Sequence, residues 1–339
     1  MIRQDQISHY TDSYFTRARL ACQRAGNNRR VLYQVFQRGE GVLCGMKYVL
    51  QLLQHTSPEV EVEGLADGDR IAPLETVMHI RGPIQELVEL ETVYLGLLAR
   101  MTRIATNVRA AVDAANGKPV LFFPARFDVP EVQEYDGYAA MIGGSAGAST
   151  PAGAVPFNAP AVGTMPHALI AAFRGSTVAA TLALAEADPS RPIWALVDFE
   201  NDSARTSVEV YQELKQRGLK LEGVRLDTSL SLVDRGVADA GENFTGVNPL
   251  LVEIVRRRLD QAGGSDVKIA VSGGFSAERI REFERAGAKV DAYAVGEQFF
   301  SGGMPFTSDI AGYWEGSEFV RCAKVGREYR PNPRMKRVK

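Results

Sequence analysis

Four apolar segments in the second half of the chain each run into residues whose types suggest a shared chemistry. Residues 192–199 lead into Asp198, Glu200 and Asp202, and residues 221–227 end on Arg225 and Asp227. Residues 267–273 lead into Ser272, Gly273 and Gly274, and residues 291–296 end on Val295 and Gly296, followed by Glu297. Carboxylates suit Mg2+ or sugar hydroxyls. Glycines let backbone N–H groups come close to a phosphate. Ligands of parallel α/β folds gather at the carboxyl ends of the strands. Two polar ends followed by two glycine ends therefore predict a phosphorylated sugar held with a metal ion. The plainer alternative is that the glycines only turn the chain.

A second constellation is Gly163-Thr164-Met165-Pro166-His167. Thr164 is a good helix cap, Pro166 is permitted in a first turn, and the spacing predicts a helix over 168–184. His167 then falls in a first turn, where free N–H groups and the helix dipole favour an anion. A neutral imidazole there can attack a phosphoryl group, and the helix end would stabilise the phosphohistidine. The alternative is an unremarkable first-turn histidine. His9, His55 and His79 show no ligand spacing. Arg126 follows the apolar run 120–123, and its guanidinium matches a carboxylate or pyrophosphate, unless it is an ordinary surface arginine. Arg225, beside Asp227, is either half of a structural ion pair or an anion clamp.

These residues must be positioned by regular elements. From residue 191 onward, apolar strands alternate with amphipathic helices predicted at 203–217, 249–262 and 277–286. That rhythm means a parallel sheet covered on both faces, and either a barrel or a doubly wound sheet fits it. The first third reads as α+β, with a strand over 30–38, a helix over 43–53 and two short strands around a Pro turn over 69–83. Leu87, Leu90, Tyr94, Leu97, Leu98, Met101, Ile104, Val108 and Val112 recur at helical spacing over 83–116, and Asn116-Gly117 supplies a stop. The boundary is placed there. The expected domains are 1–116, with 300–339 returning through a strand at 317–326, and 117–299. The small-residue stretch 143–153 is either a linker or a functional loop.

Composition narrows the class. Of 339 residues, 45% are hydrophobic and 24% charged, with 39 basic against 41 acidic side chains. The net charge of -2 lacks the basic excess of a nucleic-acid binder. Cys22, Cys44 and Cys322 are odd in number and far apart, which fits neither a disulfide framework nor a cysteine zinc site. The polar opening does not read as a secretory signal, and no apolar run approaches the ~18 residues of a membrane span. A cytoplasmic enzyme with no membrane partner is expected. The basic run 321–339 reads as a solvated, partly ordered tail or as a rim attracting polyanions.

In this order the motifs resemble those of nicotinate phosphoribosyltransferases, type II phosphoribosyltransferases, in their shorter, archaeal-like branch. Thr11-Asp12-Ser13-Tyr14 resembles the family's opening TDxY, and residues 143–150 its small-residue loop. Gly163–His167 resembles its GTxxH motif and Arg225-Leu226-Asp227 its RLD strand end. Ser272-Gly273-Gly274 and Val295-Gly296 resemble its phosphate-binding turns, and residues 323–327 a late segment. The chain departs from the pattern in two places: Thr228-Ser229-Leu230-Ser231 stands where many relatives continue SGDL, and Glu297 where many have Thr.

The resemblance implies an α/β fold: an irregular (β/α) barrel of fewer than eight strands with a split amino-terminal α+β domain. It implies a homodimer or higher oligomer with shared active sites, in which the partner subunit's Tyr14 stacks on a pyridine ring. It further implies that Arg126, Ser149, Thr164 and Arg225 bind substrate, and that His167 is transiently phosphorylated by ATP. Asp198 and Asp227 would face ribose or Mg2+, and Ser272, Gly273, Gly274, Val295 and Gly296 would hold the 5-phosphate. The implied substrates are nicotinate, 5-phosphoribosyl 1-diphosphate and ATP. Mg2+ is the implied cofactor; zinc is not, because Cys322 stands alone near the end. Two other readings stay open: a decarboxylating quinolinate phosphoribosyltransferase and a non-catalytic metabolite-binding relative.

Overall fold

The computed structural model describes residues 6–240 and 244–339; residues 1–5 of the polar opening lie outside them. The chain divides into two compact units, Met1–Thr106 with Gly302–Lys339, and Asn107–Ser301. Among the described residues, no helix is long and apolar enough to cross a membrane.

The first unit begins with α1 (Ile7–Tyr10), α2 (Ser13–Arg24), β1 (Arg30–Gln37), β2 (Gly41–Val42) and α3 (Met46–Thr56). It continues through β3 (Glu61–Gly64), β4 (Arg70–Ile71), β5 (Thr76–Pro83), α4 (Ile84–Leu87) and the start of α5 (Glu91–Ala114). The alternation in β1 predicts one buried face, yet every residue from Val31 to Gln37 is buried. Val31, Tyr33 and Val35 join Val49, Leu53, Ile80, Leu87, Tyr94 and Leu98 in one core cluster. The helix expected over 83–116 is broken between α4 and α5. Thr11 holds the break by donating its hydroxyl to the carbonyl of Glu89 (2.7 Å), which takes that carbonyl out of the helical ladder. The stop at the far end is as expected: Asn116 and Gly117 adopt φ of 49° and 84°.

The second unit contains β6 (Val120–Phe122), α6 (Gln133–Gly143), β7 (Gly147–Ala148), α7 (Pro151–Ala154), α8 (His167–Ala172) and α9 (Thr177–Ala187). It then alternates through β8 (Ile193–Leu196), α10 (Ser203–Gln216), β9 (Leu221–Leu226), α11 (Pro249–Gln261), β10 (Lys268–Val271), α12 (Ala277–Arg285) and β11 (Ala292–Val295). All six strands pair in parallel in the order β7-β6-β11-β10-β9-β8. The order is cyclic: β11 returns to pair with β6, and the sheet stays open only between β7 and β8. A doubly wound sheet would run outward from a central strand instead. The sheet is a curled half-barrel, and its inner wall is kept thin. The ring of Trp194 lies where a side chain at Gly223 would have to go, since a Cβ there would sit 2.3 Å from it.

The small-residue stretch is ordered, not a linker. It closes α6, forms β7 and opens α7. Gly137 and Gly153 let the backbones of α6 and α7 meet: a Cβ on Gly137 would lie 2.0 Å from the carbonyl oxygen of Gly153. The helix expected over 168–184 is two helices. Arg174 (φ 57°) and Gly175 (φ 83°) reverse the chain, and Ser176 caps α9 by accepting from the amide of Ala179.

The last segment adds β12 (Phe306–Glu315), β13 (Glu318–Arg321) and β14 (Lys336–Arg337) to the first unit's antiparallel sheet, ordered β13-β12-β1-β5-β3-β14. The strand expected over 317–326 is the short β13; the longer β12 precedes it without a sequence signal. A register shift against β1 at Leu32/Tyr33 moves its buried positions from Phe306 and Ser308 to Ala311 and Gly312, which erases the period-2 signal. The basic run is solvated over much of its length, with Arg321, Lys324, Lys336 and Arg337 exposed, and is tied down at three residues. Lys339 Nζ donates to the carbonyls of Ser57, Pro58 and Val60, and Arg334 binds Glu75 (2.7 Å) and the carbonyl of Arg70. Arg327 pairs with Asp309 at 3.3 Å.

Two glycines inside helices should behave oppositely. Gly96 lies mid-helix in α5, and a Cβ there would point into open space, with nothing within 4 Å. Gly96→Ala is expected to stabilise the protein by about 1 kcal/mol. Gly137→Ala drives a methyl into backbone and is expected to cost roughly 2 kcal/mol or more. Urea denaturation midpoints of the two variants check both signs.

Candidate active site

The carboxyl ends of β6, β9, β10 and β11 and the start of α8 surround a cavity of about 760 Å³. Among its lining residues are Arg126, Ser149, Thr164, His167, Arg225, Asp227, Ser272, Gly273, Gly274 and Gly296. The parallel rhythm brings these distant residues together because every strand ends at the same edge. Three expected residues stand differently. Asp198 does not line the cavity itself and reaches it through His167. Val295 is 1% exposed in β11 and does not line the cavity, although its neighbours Ala294 and Gly296 do. Successive strand side chains point to opposite faces, so a residue between two cavity-facing neighbours faces the covering helices. Tyr14 belongs to the first unit, on α2. It is 60% exposed, and its hydroxyl donates to Asp12 at 3.3 Å.

His167 is the first residue of α8, and the cap is Pro166 rather than Thr164. α8 is only six residues long, so a long helix dipole does not orient the imidazole. Asp198, just beyond β8, does: both its oxygens lie 3.0 Å from His167 Nε2. The Asp198 side chain is 9% exposed and that of His167 44%. With Nε2 donating to the carboxylate, the neutral ring carries its lone pair on Nδ1. Burial raises the Asp198 pKa above the ordinary carboxylate value, and the Asp227 charge adds to this. The charge and hydrogen bond of His167 oppose it.

Arg225 sits inside the sheet, paired in register with Leu196 of β8 and Ala270 of β10. Burial lowers its pKa; the Asp227 and Asp198 charges oppose that, and Arg126 reinforces it. Its Nε is buried without a hydrogen-bond partner, as are the hydroxyls of Thr164 and Thr228. A buried donor left open in a cavity wall is a group waiting for a ligand. Ser272 donates to Asp227 Oδ1 at 2.5 Å and lies 3.2 Å from the carbonyl of Leu226, so its hydroxyl serves to hold Asp227. One ligand atom each from His167, Asp198 and Asp227 lie within 4.8 Å of one another, a spacing that can hold a metal ion.

The glycine ends differ from each other. Gly273 (φ 85°) and Gly274 (φ 72°) are both left-handed, so the turn needs glycine on conformational grounds. Gly296, at φ -110°, is instead tight for space: a Cβ would lie 3.0 Å from the Phe127 ring, which would have to shift to admit it. The guanidinium of Arg126 lies 5.2 Å from the centre of that same ring. Phe123, Phe127, Phe275 and Gln298 also line the cavity, although the sequence carries no mark of it. The run Phe122-Phe123 reads as core, and nothing in its spacing sets the second ring towards the cavity.

Residues 12–102 match the family model for the amino-terminal domain of quinolinate phosphoribosyl transferase, and residues 104–301 match that for its carboxy-terminal domain. The chain belongs to this family. It is a phosphoribosyltransferase, and the type II superfamily suggested by the sequence motifs is the right one. A nicotinate phosphoribosyltransferase from Mycobacterium tuberculosis is 26% identical over 344 residues, covering 91% of this chain and 72% of the relative. A second from the same organism is 30% identical over 239 residues, covering 70% of this chain and about half (48%) of its own length. Among solved structures, a nicotinate-nucleotide pyrophosphorylase from Pyrococcus furiosus superposes with a TM-score of 0.82 at 32% identity. It covers 97% of this chain and 80% of that one.

The environment of Asp198 gives a signed prediction. Its native pKa is raised, so between the unfolded value of about 3.9 and the native value the wild type loses stability as pH rises. Asp198→Asn removes that loss. The stability difference should therefore shift towards the variant between about pH 4 and pH 8, read by urea denaturation at the two values.

Proposed function

We propose that the protein transfers the phosphoribosyl group of 5-phosphoribosyl 1-diphosphate to the ring nitrogen of nicotinate. The products are nicotinate mononucleotide and pyrophosphate. The observation that carries this reading is the His167–Asp198 pair at the mouth of the cavity that Arg225 and Asp227 also line. The nitrogen attacks the anomeric carbon as the C–O bond to pyrophosphate breaks, through an oxocarbenium-like transition state. Such a reaction needs cations on the leaving group and a fixed ring rather than a strong base.

Arg225 and Arg126 supply the fixed cations, and Asp227, held by Ser272, faces the ribose hydroxyls. The amides of the glycine turns take the 5-phosphate. Ser149 and Thr164 line the acceptor side, where the partner subunit's Tyr14 covers the ring in a homodimer. Asp198 and Asp227 fit Mg2+, which favours one or two carboxylates together with substrate phosphates. Bound there, the ion would neutralise charge on the departing pyrophosphate. Nδ1 of His167 attacks the γ-phosphorus of ATP as the bond to the β,γ-bridging oxygen breaks and ADP leaves, and Asp198 stabilises the ring as it becomes cationic. Hydrolysis of that phosphohistidine would couple ATP to substrate capture.

A second reading, decarboxylating transfer to quinolinate, is favoured by the family model that matches the chain. Quinolinate carries a second ring carboxylate and so calls for a further cation beside it. Among the described lining residues of one subunit the permanent cations are Arg126 and Arg225, both assigned above to the leaving group, so a third cation for the extra carboxylate is the feature this second reading has to supply.

Nucleotide formation from nicotinate and from quinolinate, each with and without ATP, separates the two. The expected outcome is turnover of nicotinate, stimulated by ATP, with no carbon dioxide released from quinolinate. His167→Ala should abolish the stimulation and leave ATP-independent turnover. Carbon dioxide release from quinolinate, insensitive to ATP, would replace this reading with the second.

A further inference from the structure

We propose that Arg279 is the positioning residue of the anion cradle, a helix side chain that aims backbone amides of the Gly273-Gly274 turn into the cavity. The proposal rests on the proposed phosphoribosyl transfer, in which that turn receives the donor's phosphate. Arg279 lies in the first turn of α12 and is not part of the cavity lining. Its side chain points back under the turn. Nη1 donates to the carbonyl of Gly273 (2.9 Å) and lies 3.4 Å from that of Gly274, while Nη2 donates to the carbonyl of Val247 (2.6 Å).

A trans peptide unit is planar, and its C=O and N–H point in opposite directions. Drawing the carbonyls of Gly273 and Gly274 towards the guanidinium therefore turns the amides of Gly274 and Phe275 away from it. Gly273, Gly274 and Phe275 all line the cavity, so away from Arg279 is towards the cavity. Among the described residues, neither amide donates to a backbone carbonyl outside regular elements. They form a pair of free donors with a permanent cation behind them.

The packing leaves this one arrangement. The guanidinium centre lies 4.8 Å from the Phe275 ring centre and 6.0 Å from that of Phe283. A Cβ on Gly274 would fall 2.8 Å from Leu230, and one on Gly246 would fall 3.3 Å from Arg279 Nη2. Gly246 (φ 64°), Gly273 and Gly274 all adopt left-handed backbone around the same fork. A planar fork can serve the loops that follow β9 and β10 at once, which a lysine ammonium on a flexible stem cannot reproduce.

The test measures affinity for 5-phosphoribosyl 1-diphosphate by calorimetry, beside steady-state constants, in the full chain. Arg279→Gln is expected to weaken donor binding by about tenfold or more and raise the donor KM in step. Nicotinate affinity and kcat at saturating donor should stay within twofold. Arg279→Lys keeps the charge without the fork and should fall between wild type and Arg279→Gln; it also serves if the glutamine variant fails to fold. Donor affinity within twofold of wild type in a folded variant overturns the proposal, as does an equal loss for both substrates. If the wild type binds the donor but makes no nucleotide from nicotinate, the acceptor reading fails and the donor measurement still decides Arg279. A wild type that binds neither the donor nor inorganic phosphate overturns both.

Discussion

A permanent cation placed inside a parallel sheet sets the terms for the second unit. Arg225 cannot shed its proton, so its burial must be offset by fixed groups. Asp198 and Asp227 come from the ends of two adjacent strands, and their charges oppose the desolvation of the guanidinium. The wall beside it is made of small residues: Ala270 is its register neighbour, and Gly223, two residues earlier, makes way for Trp194. Even so, Nε is left unpaired, and Arg126 adds repulsion where attraction would be easy to build. A purely structural ion pair would close these gaps. The arrangement instead leaves a guanidinium with open hydrogen-bonding capacity in the cavity wall for something anionic entering from the mouth.

That choice propagates to Asp198. The same carboxylate offsets Arg225, accepts from His167, and stands within metal-sharing distance of Asp227. Its burial raises its pKa, and His167 is the group that counters this most. Any event that moves the imidazole or changes its charge therefore changes the carboxylate available to a metal or sugar. The coupling needs no hinge, because the partners already touch. It also explains why a short, six-residue helix suffices to carry His167: orientation comes from the carboxylate, not from the helix end.

Much of this is legible in the sequence. Strand ends can be read because apolar runs of four to six residues alternate with amphipathic helices, and each run ends on a distinct residue type. The cyclic strand order cannot, since periodicity carries no information about which strand returns to which. β12 is concealed by the register shift that breaks its alternation. The break at Gly175 is hidden because an isolated glycine is tolerated in helices and only its positive φ makes it a terminator. Val295 adjoins a glycine of the cavity wall, although period-2 alternation already sets its side chain on the opposite face. Arg279 resembles any solvated arginine of an amphipathic helix, and its three carbonyl acceptors lie in turns whose shape no local pattern reveals.

The two glycine turns, similar as motifs, are physically unequal. The first has two left-handed glycines, a planar cation bound behind it and Ser272 holding the neighbouring carboxylate. The second has ordinary φ at Gly296, an aromatic ring pressed against it and the Glu297 carboxylate next in sequence. The first turn has a fixed cation bound behind its carbonyls to offset the neighbouring carboxylate; at the second, the adjacent formal charge is negative. A phosphate shared between them gains its electrostatic binding from the first and its steric outline from the second. Where many relatives of the resembling family carry Thr, Glu297 removes a neutral donor and adds a repulsion. That concentrates anion affinity on the Ser272–Phe275 turn and raises the energetic weight of whatever holds its amides in place.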